Sequence, residues 1–96
     1  YVACWPTPRI NAWKTLLQAR AIENLSYVCG VNAVWTDAKG RKQGGSSMLV
    51  DMKGIVKREF EAESACVEVF DVQKVDLEIF RESFPAWKDS DEFSMG

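Results

Sequence analysis

The side chains in this chain with the most chemical potential are three thiols, Cys4, Cys29 and Cys66. A thiol becomes a nucleophile or a metal ligand only as thiolate, which near neutral pH needs a cationic neighbour or a helix N-terminus. No basic residue flanks any of the three, and each lies in an apolar, strand-like run. They are odd in number and far apart, so the expectation is reduced, buried, structural cysteines rather than disulfides or a metal site. The chain contains no His, which removes Ser-His-Asp and Cys-His catalysis and the commonest metal ligand. Gly40, Gly44 and Gly45 have neither dinucleotide-type spacing nor a Gly-Lys-Ser/Thr ending and read as turn glycines rather than a phosphate loop. Arg20 and Glu23 are three apart on a predicted helix, so they form either a solvated pair or an internal brace for the strand ends.

The elements that would position these groups follow from periodicity. Tyr1-Val2-Ala3-Cys4-Trp5 is an apolar strand, and Pro6-Thr7-Pro8-Arg9 must leave it because proline donates nothing to a ladder. A helix is predicted from Ala12 to Asn24 with Asn11 as N-cap, its Trp13, Leu16, Leu17 and Ala21 and the half-buried stem of Arg20 recurring at three and four. The almost wholly apolar run from Tyr27 to Trp35 predicts a strand covered on both faces. The span 36–45 reads as a mobile surface loop. Ser47–Val50 and Ile55–Glu59 predict a hairpin around Asp51-Met52-Lys53-Gly54. The span 66–71 alternates like a fifth strand, and Asp71 is placed to start a last helix from Val72 to Ser83 that Phe84-Pro85 ends. Residues 86–96 form an acidic tail with Trp87 and Phe93 as docking anchors. About five strands and two helices then form a mixed α/β sheet with helix mainly on one side, and the other face needs cover from elsewhere.

Composition sets the class. With 96 residues, 47% hydrophobic and 27% charged, the chain is globular and at most one small domain. A net charge of −2 and a sequence pI near 5.1, with one short basic cluster at 39–42, argue against nucleic acid. No apolar run spans a bilayer and no signal-peptide layout opens the chain, so the default setting is cytoplasmic. Opening inside an apolar strand without Met predicts that the polypeptide extends upstream.

Trp5-Pro6-Thr7-Pro8-Arg9, Trp13, the run from Ala19-Arg20-Ala21-Ile22-Glu23-Asn24 to Val28, and Gly30-Val31-Asn32 together resemble the carbon-nitrogen hydrolase (nitrilase) superfamily, in its omega-amidase branch. Gly45-Ser46-Ser47, the Asp51–Gly54 turn and the stretch from Phe84-Pro85-Ala86-Trp87 to Phe93 continue the likeness in order. The resemblance implies that residues 1–96 are the carboxyl-terminal part of a single domain, an α-β-β-α sandwich that hydrolyses small 2-oxo acid monoamides to acid and ammonia. It implies a Glu-Lys-Cys triad lying upstream, so that this stretch alone is inactive and its cover is the rest of the same domain. Cys4 occupies a position where that branch usually has Asn and is not the nucleophile. Cys4 and Trp5 are implied to border the substrate pocket, the helix from Asn11 to Asn24 to form a homodimer surface, and Arg20, Glu23 and Asn24 to be structural. Neither a metal nor an organic cofactor is implied. Ala33 and Trp35 depart from the family's Arg and Gly, removing a cation that could meet an acidic substrate group, and Met52 replaces a turn proline. The competing reading is a truncated, non-catalytic module for binding or dimerisation through its first helix. A thiol-redox role lacks both a paired cysteine and an activating neighbour.

Overall fold

The computed structural model describes residues 1–89. Strand β1 (Val2–Ala3) leads through a 3-10 turn (Thr7–Arg9) into helix α1 (Ile10–Asn24), followed by β2 (Val28–Asn32), β3 (Val34–Thr36), β4 (Lys42–Gly44), β5 (Met48–Val50), β6 (Val56–Glu59), α2 (Lys74–Ser83) and a 3-10 turn (Ala86–Asp89). Four strands form a mixed sheet in the order β1-β2-β5-β6, with β1 parallel to β2 and the other pairs antiparallel. The remaining two strands, β3 and β4, form a separate antiparallel hairpin.

The core lies on one face of the larger sheet. Trp13, Leu17 and Ala21, four residues apart along α1, make a single buried stripe against Val28, Met48 and Val50. Burying each large side chain contributes about 1.5–3 kcal/mol. Gly30 lets the helix settle: a Cβ there would lie 2.4 Å from Leu17 Cδ1 and 2.9 Å from Trp13 Cζ2. The helix ends as Leu25 enters the left-handed region at φ 50°, where the Ser26 N–H donates to Ala21 O at 3.1 Å. Arg81 of α2 then donates from Nε to Leu25 O at 2.8 Å, tying the last helix to the end of the first.

Several expectations are corrected. Helix α1 starts at Ile10 rather than Ala12, with Arg9 at the N-cap and Asn11 inside the first turn, because the 3-10 turn of Thr7–Arg9 already delivers the chain in helical sense. Leu16 of the predicted apolar stripe and Arg20, whose stem was expected to be half-buried, are exposed. The apolar run from Tyr27 to Trp35 is two strands, not one, and β2 is covered on one face only: Val28, Gly30 and Asn32 face α1, while Cys29 and Val31 are exposed. The expected loop over 36–45 contains β4 and is ordered by Asp37, whose Oδ1 accepts from the backbone N–H groups of Lys39 (2.9 Å) and Arg41 (2.8 Å). The predicted β-hairpin forms as β5 and β6, with Gly54 at φ +82° closing the turn and a bulge between Leu49 and Val50. The span 66–71 is not a strand and pairs with no strand among the described residues. Helix α2 starts at Lys74, capped by Gln73 without a side-chain hydrogen bond, so Asp71 does not cap it. The Trp87 side chain and Phe93 lie outside the described residues.

All three thiols are free, but all three are exposed, against the expectation of burial. Cys29 follows from alternation: odd positions of β2 point to the bare face of the sheet. Cys4 lies just past the last residue of β1, and Cys66 lies in the segment with no ladder.

Candidate functional site

The strand end at Cys4-Trp5 is held by a polar clamp that begins where the β1–β2 ladder stops. The parallel register runs Val2 with Val31 and Ala3 with Asn32, and the next pairing is an isolated antiparallel bridge of Pro6 with Gln43 of β4. The Asn32 side chain takes over the role of a ladder. Its Oδ1 accepts from the Trp5 N–H at 2.6 Å, and its Nδ2 donates to Trp5 O at 3.0 Å and to Gly45 O at 2.9 Å. Both amide hydrogens and the amide oxygen are thereby used, which satisfies a side chain that is buried. Ser47 completes the clamp, its Oγ accepting from the Asn32 N–H at 2.9 Å. Gly44 adds a second donor to Trp5 O at 3.1 Å. Three segments separated in sequence, at Trp5, Asn32 and Gly44–Ser47, thus meet through one amide.

The Trp5 side chain is packed as firmly as its backbone. Its ring lies 5.9 Å from that of Trp13 at a 40° tilt, and the Arg9 guanidinium sits 5.4 Å from the Trp5 centroid. Trp5 Nε1 donates to Arg9 O at 2.5 Å, and the buried Trp13 Nε1 donates to Ser46 O at 3.0 Å. Trp13 is therefore core, while Trp5 is half-buried and Cys4 beside it is exposed. Of the residues expected to border a pocket, the structure presents Cys4 to solvent at a rigid strand end and fixes Trp5 from four directions.

The residues expected to be structural are a weaker group. Arg20 Nη1 and Glu23 Oε2 pair at 3.1 Å, but the two side chains are 45% and 61% exposed. This is the solvated pair, not a brace for strand ends, and on a helix surface it contributes about 0.2–0.5 kcal/mol. Asn24 Nδ2 donates to Arg20 O at 2.9 Å on the exposed last turn of α1. Sequence reasoning passed over Asn32 and Ser47 as positioning residues. The available signal was a single amide side chain inside the otherwise apolar run from Tyr27 to Trp35, since a polar group in such a place must find partners.

The opposite, bare face of the sheet carries an open concavity of about 400 Å³ lined by Cys29, Val31, Leu49, Phe60, Cys66 and Phe70 among others. Its lining is mainly apolar, with the Cys29 and Cys66 thiols and the Glu68 carboxylate as its titratable groups. Among the described residues no group of three or more His, Cys, Asp or Glu could hold a metal ion, and no helix is long and apolar enough to cross a membrane.

A mixed sheet with one helical layer is an α/β architecture that many functions share, and direct comparison supplies the assignment. The chain belongs to the carbon-nitrogen hydrolase family, whose model matches residues 3–82. It is 41% identical over 95 residues to the omega-amidase YafV of Escherichia coli K12, covering 99% of this chain and 37% of that protein. It is 39% identical over 90 residues to a 2-oxoglutaramate amidase of Paenarthrobacter nicotinovorans, covering 91% of this chain and 29% of that one. The crystal structure of a CN-hydrolase superfamily protein from Xanthomonas campestris, which carries an arsenic adduct in its active site, superposes with a TM-score of 0.88 at 40% identity over 97% of this chain and 35% of that chain. The chain thus spans about a third of the length of the proteins it resembles.

Proposed function

We propose that residues 1–96 are the carboxyl-terminal part of a single amidase domain that hydrolyses the C–N bond of small 2-oxo acid monoamides, giving the acid and ammonia. In this reading a thiolate from a Glu-Lys-Cys triad outside these residues attacks the amide carbonyl. The C–N bond breaks, the nitrogen leaves as ammonia with a proton taken up, and water then cleaves the thioester to release the acid and restore the thiol. The contribution of this chain is one wall of the site at Cys4 and Trp5 and half of the scaffold behind it. The observation that carries the reading is the alignment with an omega-amidase and a 2-oxoglutaramate amidase across nine-tenths or more of the chain.

The remaining roles follow the same proposal. The bare sheet face is covered by the rest of the domain to make an α-β-β-α sandwich, and the outer face of α1, where Leu16 and Ile22 are exposed, forms the homodimer surface. Three free, exposed thiols fit a reducing, cytoplasmic setting. The test is ammonia release from 2-oxoglutaramate by the full-length gene product, with glutamine as the comparison substrate. Turnover of the 2-oxo acid amide well above that of glutamine is expected, and none from residues 1–96 alone. Amide hydrolysis by the 96-residue chain, abolished by replacing any one of its thiols, would overturn the proposal.

A further inference from the structure

The clamp on Trp5 reaches beyond scaffold. We infer that Asn32 is a positioning residue for the amidase site, setting the peptide between Cys4 and Trp5 and so the pocket wall that they form; the inference rests on the amidase reading above. The geometry separates what only Asn32 supplies from what is shared. Trp5 O has two donors, Gly44 N at 3.1 Å and Asn32 Nδ2 at 3.0 Å, so it keeps a partner when the amide is lost. For the Trp5 N–H, the acceptor is Asn32 Oδ1 at 2.6 Å, a short contact and the one that orients the Cys4–Trp5 peptide plane. The Asn32 amide also draws Gly45 O toward the strand end, so that the turn at Gly45-Ser46, which accepts the Trp13 indole N–H, and the Cys4-Trp5 segment move as one body. Ser47 holds Asn32 in turn, through the Asn32 main-chain N–H. A wall built this way has no slack for reacting atoms that must be held to fractions of an ångström.

The role predicts coupling in activity rather than in stability alone. In the full-length gene product, Asn32→Ala is expected to lower kcat/KM for a small 2-oxo acid monoamide by at least about ten-fold, assayed well below its melting temperature. Its effect is expected to be strongly non-additive with that of Trp5→Ala, because once the Trp5 wall is gone the residue that orients it has nothing left to position. A residue that merely stabilises the fold would give effects that multiply. Asp51→Asn supplies the control for lost stability. It lies in the hairpin turn beyond the Val28–Val50 pair, about 13 Å along β2 from Asn32, and is expected to lower the melting temperature while leaving kcat unchanged. Should Asn32→Ala not accumulate, Ser47→Ala, which frees the Asn32 main-chain N–H and C=O but leaves its side-chain amide in place, is expected to shift kcat/KM in the same direction by about three-fold. An active parent with Asn32→Ala or Ser47→Ala within two-fold of it, or with Asn32→Ala and Trp5→Ala effects that simply multiply, would overturn the positioning role alone. A parent that hydrolyses no small amide would overturn the amidase reading and this inference together.

Discussion

The carboxylate of Asp51 is buried at the first position of the β5–β6 turn, where its Oδ1 accepts from Lys53 N at 2.9 Å and Ile55 N at 3.0 Å while Lys57 Nζ approaches Oδ2 at 3.4 Å. Burial by itself pushes the carboxyl up. The N–H groups of Ile55 and Lys53 and the Lys57 ammonium outweigh it, leaving Asp51 below its ordinary value of 3.8. A carboxyl lowered in the folded state contributes stability that is complete above its unfolded value and disappears as pH falls through the folded one. The melting temperature of the full-length gene product is therefore expected to exceed that of Asp51→Asn near neutral pH, with the gap narrowing from about pH 4 downward. A gap that stayed constant to about pH 2 would show that the Asp51 charge contributes nothing. Asp51 and Gly54 were legible in the sequence because a turn with Asp first and Gly last has a local mechanism. Asn32 was not, since its partners lie 27 and 13 residues away and only the fold brings them together.

Between α1 and β2, the decisive residue is the one without a side chain. The sequence made the helix plain, because Trp13, Leu17 and Ala21 repeat at four, and made β2 plain as an apolar run. It could not show that only one face of β2 would be covered, because an uninterrupted apolar strand has the same pattern whether its second cover comes from within these residues or from outside them. Among residues 1–89, Cys29 and Val31 are left exposed on one face of β2, and no strand pairs with 66–71. Gly30→Ala tests the contact that is present. The new methyl would meet Leu17 Cδ1 at 2.4 Å and Leu17 Cδ2 and Trp13 Cζ2 at 2.9 Å, all side-chain atoms of a packed helix. Displacing them is expected to cost about 1–3 kcal/mol, measured by denaturant unfolding of the full-length gene product. An unchanged midpoint would mean that α1 does not sit on β2 at this distance.

At the scale of the whole molecule, the dimensions describe an open and thin shape. The radius of gyration is 16.3 Å, against about 12.5 Å for a compact chain of this length, and the smallest extent is only 18 Å. That thickness fits one helix lying on one sheet. On the bare side Val31 is 49% exposed, and in the segment that follows β6 Val67 and Val69 are 92% and 91% exposed. Apolar surface of this kind, continuous with a sheet whose β1 and β6 edges are unpaired, drives association when nothing covers it. Residues 1–96 expressed alone are accordingly expected to self-associate, seen by light scattering as a concentration-dependent mass above 10.9 kDa, and to melt without a single cooperative transition. If the proposed sandwich forms, the same residues within the full-length gene product are expected to show slow amide exchange at Cys29, Val31 and across 66–71, because that arrangement would remove those positions from water. A monodisperse monomer with one sharp melting transition would mean that the bare face needs no partner, and the half-sandwich account of this chain would then be wrong.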